Sequence, residues 1–168
     1  MKIRSGFVSN SSSASFMVKV DKSVDDFLDE LYNEFQWTHF KTEHFKYELE
    51  QDIKRNEEYI EKFKKDFEGN KKDNFLIKGA IEGCEIQNQG LRHLIKCLPK
   101  MSQRELTSAI LNHHHVDIAA RKNGKCELWS HTIMYNSAGD APEFLHMIVF
   151  YLALTYPDKK YEVSVERE

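Results

Sequence analysis

Residues 115–136 read HVDIAARKNGKCELWSHTIMYN, and the Asn123-Gly124 pair at their centre decides the fold class. Asn-Gly between runs of alternating polarity is the strongest short-range hairpin signal, because both residues tolerate the positive φ that a tight turn needs. Val116, Ile118 and Ala120 alternate with Asp117, Ala119 and Arg121, and KCELWSHTIMYN is the return strand. A two-residue turn pairing Lys122 with Lys125 sets Ile118 opposite Trp129 and Val116 opposite His131. The hairpin is thus expected as strands 115–121 and 126–135.

Downstream, Asp140-Ala-Pro-Glu143 supplies an N-cap, a proline in the first turn and a capping acid, so 144–154, FLHMIVFYLAL, is expected as a buried helix closed by Pro157. YEVSVERE follows as a last strand, with Tyr161, Val163 and Val165 on one face and Glu162, Ser164 and Glu166 on the other. At the other end, FMVKV at 16–20 reads as an N-terminal strand.

The intervening sequence has helical periodicity. Ser23 with Asp26 caps a helix over about 23–36, whose stripe is Val24, Phe27, Leu28, Leu31 and Phe35. Thr42 opens a second helix to about Glu68, stopped by Gly69-Asn70, with a narrow stripe of Phe45, Leu49, Ile53, Ile60, Phe63 and Phe67. Of the 28 residues 41–68, 16 are charged, and Glu50–Lys54, Glu58–Lys62 and Glu61–Lys65 are spaced as i,i+4 pairs. Such a helix stands largely in water along one seam. NFLIKGAIEG, in 70–85, reads equally as strand or helix start; Ile86, Leu91, Leu94, Ile95 and Leu98 then form a third helix, and Ser102 with Glu105 caps a fourth. Helices and strands segregate, so the expected fold is α+β: an antiparallel sheet of about four strands, a C-terminal helix packed on it and a helical layer or lobe from the first two thirds. The whole of 1–168 is expected as one domain, with a Ser-rich leader at 1–15, a mainly helical part at 23–112 and a hairpin, helix and strand part at 113–168.

Composition narrows the function classes. A net charge of −3 gives no basic field for nucleic acid, and acidic and basic residues are interleaved throughout. Cys84, Cys97 and Cys126 are too few and too odd in number for a secreted disulfide framework. The most apolar run, 144–154, is too short to span a bilayer, and the start has no apolar stretch of signal-peptide length. A cytoplasmic protein is expected, with no cofactor.

Three places invite chemistry. In a strand, the consecutive His113, His114 and His115 cannot all face one ion. His114 and His131, with Glu127 further along the same face, leave two zinc ligands and an incomplete third, without CxxC or HExxH spacing; histidines at a helix-to-strand junction are the alternative. Cys126 and His131, five apart on one strand, face opposite sides and cannot work as a nucleophile–base pair. No catalytic residue is assigned. Trp37, Phe40 and Phe45, with His39 and His44, form an aromatic knot between the first two helices, serving either as packing or as an anchor for a partner. The partner surface expected from the residues is Trp37, Phe40 and Phe45 together with Lys54, Glu58 and Lys62, and helix 42–68 is also a seam on which two copies could pair.

Residues 6–16, GFVSNSSSASF, hold five serines between apolar ends. Short hydroxyl side chains compete for backbone hydrogen bonds and favour turns, so a surface crossing into the strand at 16 is expected. With Met1–Ser5 before it, this opening resembles the leader, close to GFVSNSSSSSF, of small uncharacterised proteins of large tailed bacteriophages and some bacteria. Ala14 is the departure within that core. The likeness covers about 16 residues of 168 and, weakly, LWSHTIMYN leading into DAPE. The resemblance implies a phage-encoded accessory protein in the host cytoplasm that binds a host protein, for host takeover or to block a defence, without catalysis. Two rivals stand beside it: a metal-dependent enzyme or nucleic-acid processing factor using His114 and His131, and a virion or assembly component.

Overall fold

A computed structural model of the chain describes residues 13–35, 40–69, 74–133, 143–156 and 161–167. The fold is α+β. In chain order the elements are β1 (Ser13–Val20), α1 (Val24–Phe35), α2 (Thr42–Gly69), α3 (Asn74–Cys97), a 3-10 turn at Leu98–Lys100, α4 (Gln103–His113), β2 (Asp117–Ala120), β3 (Cys126–Ile133), α5 (Glu143–Thr155) and β4 (Tyr161–Arg167). The chain divides into two compact units, 1–34 with 103–168, and 35–102.

In the first unit the strands run in the order β2-β3-β1-β4, all antiparallel, so β1 lies between β3 and β4. The hairpin differs from the expected one by a residue. Ile118 pairs with Leu128 and Asp117 with Trp129, in place of Ile118 with Trp129. The Gly124 N–H donates to the Arg121 carbonyl at 2.8 Å, the Arg121 N–H donates to the Lys125 carbonyl at 2.8 Å, and Gly124 has φ 77°. Those bonds make a three-residue loop of Lys122, Asn123 and Gly124, in which glycine takes the left-handed position after the turn. Asn123 Oδ1 accepts from the Lys125 N–H at 3.1 Å, which holds the longer loop closed. Because side chains alternate, the slip puts Ile118, Leu128 and Val18 on one face, and Leu128 and Val18 are fully buried there.

β1 begins at Ser13, not at Phe16, so Ser13, Ala14 and Ser15 belong to the ladder, opposite Ile133, Thr132 and His131. From Ala14 onward the strand is paired on both sides, which satisfies its backbone groups and overrides the turn preference of serine. Residues 1–12 lie outside the described set.

Ser23 caps α1 as expected: its Oγ accepts from the Asp26 N–H at 3.1 Å and donates to the Asp26 carboxylate at 2.7 Å. The helix buries Phe27, Leu28 and Leu31, each contributing roughly 1.5–3 kcal/mol by leaving water. Arg104, in the first turn of α4, grips Asp29 of α1 with two bonds (2.8 and 2.6 Å) and Asp25 with a third at 2.8 Å. α5 buries Leu145, Ile148 and Leu152 but leaves Phe150 and Leu154 exposed, so it is not the wholly buried helix its composition suggested. Its capping residues 140–142 lie outside the described set.

In the second unit, α2 and α3 form a helical hairpin. Asn56 reaches Asn88 Oδ1 at 2.9 Å and Gln87 Oε1 at 3.3 Å, and Arg92 donates to Glu57 at 2.6 Å. α3 is one helix from 74 to 97, so of the two readings of NFLIKGAIEG the helix start holds. Packing of the long hairpin outweighs the low helix propensity of Gly79 and Gly83 within it. Phe45, Leu49, Ile60 and Leu91 are buried in this unit.

Candidate functional site

Among the described residues, a partly buried group of ionisable side chains converges in the first unit. Lys22 follows β1, Glu30 stands near the middle of α1, Tyr151 is in α5, and Tyr156 follows its last turn, where its N–H still donates to the Leu152 carbonyl at 2.9 Å. Glu30 Oε1 accepts from the Tyr151 hydroxyl at 2.7 Å and from the Tyr156 hydroxyl, while Oε2 accepts from Lys22 Nζ. Lys22 also donates to the Tyr156 oxygen at 2.5 Å and lies 4.9 Å from the centre of that ring.

Burial pulls the Glu30 carboxyl up, but hydrogen bonds from Lys22, Tyr156 and Tyr151 outweigh it and hold the group below its ordinary range. Burial likewise lowers Lys22, and its bonds to Glu30 and Tyr156 more than reverse that. Both tyrosines are raised, by burial and then by donation to Glu30. Each carboxylate oxygen is engaged, each hydroxyl has its acceptor, and the lysine is shared. The arrangement keeps Glu30 ionised and both phenols neutral, and ties the end of β1 to α1 and to the end of α5. Its members span up to 134 positions, so no motif spacing could have shown it.

The partner surface read from sequence separates into three parts. Trp37 lies outside the described residues. Phe40 and Phe45 are fully buried, so they serve as packing instead of contact; the Phe40 ring lies 6.0 Å from that of Phe35, tilted by 49°. Lys54, Glu58 and Lys62 are exposed along one ridge of α2, opposite the buried stripe of Phe45, Leu49 and Ile60. Within α2, Lys46 pairs with Glu50 and Arg55 with Asp52, and His44 Nε2 lies 3.0 Å from Glu48; the expected Glu50–Lys54, Glu58–Lys62 and Glu61–Lys65 are not among the ion pairs of the described residues. Between α2 and α3 runs an open groove of about 420 Å³, lined by Glu57, Glu61, Lys64, Glu85, Asn88 and Arg92.

The histidine triplet is a helix cap. His113 ends α4; the His115 N–H donates to the Asn112 carbonyl at 3.0 Å and the Val116 N–H to the Leu111 carbonyl at 2.9 Å, with His115 at φ 59°. That pair of bonds, with a left-handed residue between, is a Schellman cap. The His113 and His114 rings meet edge to face at 5.3 Å. β2 begins only at Asp117, so His115 and Val116 are not strand residues. Glu127 lies on β3 opposite Ala119, and the side chain of His131 lies outside the described set. Among the described residues no group of three or more His, Cys, Asp or Glu is placed to hold a metal ion. Cys126 is fully buried, and burial pushes its thiol up to about 12, which makes it a packing residue and not a nucleophile.

No protein-family model, no curated protein and no solved structure matches this chain. No helix of the described residues is long and apolar enough to cross a membrane.

Proposed function

We propose that this chain is a phage-encoded accessory protein of the host cytoplasm that acts by binding a host protein and not by catalysis. The observation that carries the reading is the exposed ridge of α2. Lys54, Glu58 and Lys62 repeat at i,i+4 on a 28-residue helix whose other face is buried, so their charges are not spent on the protein's own packing. A ridge of alternating sign selects a partner by complementary charge and steers encounter more than it adds affinity. The resemblance of the leader supports a phage origin. The Lys22–Glu30–Tyr151–Tyr156 cluster supports a non-catalytic reading, because its polar atoms are engaged with one another.

Capture from host lysate, followed by reconstitution with the purified candidate, tests it. The intact protein should recover and bind a defined partner, and the K54E/E58K/K62E variant should lose it while keeping its helical content. Equal recovery by both proteins, or a candidate that fails to bind when purified, overturns the surface assignment.

A further inference from the structure

α3 carries a second face that the hairpin does not use. Leu76, Gly79, Gly83, Ile86, Gly90, His93 and Cys97 follow one another at alternating spacings of three and four, the heptad rhythm of a two-helix seam. Leu76 is 74% exposed and Ile86 69%, the three glycines and His93 are exposed, and Cys97 is half-buried. A Cβ at Gly79, Gly83 or Gly90 would meet nothing within 4 Å, so none of the described residues exploits the missing side chains. Glycine weakens a helix interior, but along a seam it lets a second backbone approach closely.

The same face ends in a pair of metal-ligating groups. Cys97 Sγ lies 3.6 Å from His93 Nε2, one helical turn away. Sulfur at about 2.3 Å and nitrogen at about 2.0–2.1 Å from a tetrahedral zinc ion are separated by about 3.6 Å. The pair therefore has the spacing of two ligands on one ion, and it lacks the other two.

We propose that two copies of this chain pair in parallel along α3 and hold one zinc ion between them through His93 and Cys97 of each copy. Parallel pairing is required, because only then do the two His93–Cys97 turns meet at one level and complete a Cys₂His₂ set. The flanks permit it. Phe75, Glu82 and Gln89 of one copy would face Ala80, Gln87 and Leu94 of the other, which brings no like charges together. Both Cys97 thiols lose their protons to solvent as zinc binds, so the ion sits among two thiolates and two neutral imidazoles. With three seam positions lacking side chains, apolar burial alone is small, and pairing depends on the ion. This inference does not rest on the ridge of α2.

The test uses the full, tag-free chain, stripped with EDTA in reducing buffer and titrated with Zn(II) or Co(II) under sedimentation. One ion per two chains, a dimer that appears with metal, and tetrahedral cobalt bands with thiolate charge transfer are expected. His93→Ala and Cys97→Ala should each weaken metal-dependent pairing at least about tenfold, and Ile86→Asp should weaken it without removing a ligand. Cys84→Ala should leave it intact, and far-UV circular dichroism should confirm that each variant is folded. A chain that stays monomeric at every metal concentration, or that pairs equally well without His93 or Cys97, overturns the proposal.

Discussion

The Tyr151 hydroxyl donates a 2.7 Å hydrogen bond to the Glu30 carboxylate across 121 positions of sequence. It shares that oxygen with Tyr156, while Lys22 holds the other. The side chain of Glu30 is only 12% exposed, so a missing carboxylate cannot simply be replaced by bulk water.

Glu30→Gln keeps the volume and removes the charge. At neutral pH it should lower the unfolding free energy by about 2 kcal/mol, the range for hydrogen bonds to a charged group. Because the folded carboxyl titrates below its ordinary value of 4.5, its contribution is full above that value and is lost as pH falls through the folded one. Lys22 and Tyr156 are raised above their ordinary 10.5 and 10.0, so their contributions are full below those values and fade as pH climbs through the folded ones. Urea denaturation of both proteins as a function of pH should show their difference shrinking below about pH 4.5; a difference that stays constant into acid would refute the clamp.

The glycines of α3 give a prediction opposite in sign to most substitutions. Gly79→Ala, Gly83→Ala and Gly90→Ala place a methyl group where nothing lies within 4 Å. In metal-free buffer each should raise stability by about 1 kcal/mol, through helix propensity alone. Thermal or urea unfolding of the three variants measures this, and a loss at any position would show that the glycine is needed within the monomer.

His115 holds the left-handed position of the α4 cap at φ 59° and is exposed. Glycine adopts that backbone without the clash between Cβ and carbonyl, so His115→Gly should gain about 0.5–1 kcal/mol, whereas the β-branched His115→Val should lose at least as much. Equal stability for all three proteins in urea would contradict the cap.

What was legible in the sequence is what short-range physics writes there. Ser23, with Asp26 three residues on, marked the start of α1 because a cap is a local hydrogen bond. The bounds of α2 followed from Thr42, a stripe repeating every three to four residues and Gly69. The α+β class followed from the switch to alternation after Val116. Each error came where a distant partner outvoted a local preference. Ala14 and Ser15 are strand because β3 and β4 flank them on both sides, and Ser13 joins the ladder through Ile133 of β3. NFLIKGAIEG, which local preference left open between strand and helix, is helix because α3 lies along α2. The hairpin slipped by one because a three-residue loop lets Leu128 face the core. Phe40 and Phe45 looked like anchors, since an aromatic side chain carries the same signal whether it is buried in its own chain or in a partner's.

The sequence by itself determined the α+β class and where α1, α2 and α4 begin, because caps and periodicity act over a few residues. Only the tertiary structure decided that Lys22, Glu30, Tyr151 and Tyr156 meet, and that one face of α3 stays open down to His93 and Cys97. Convergence of side chains far apart along a chain is set by how its elements pack, and no local spacing records it.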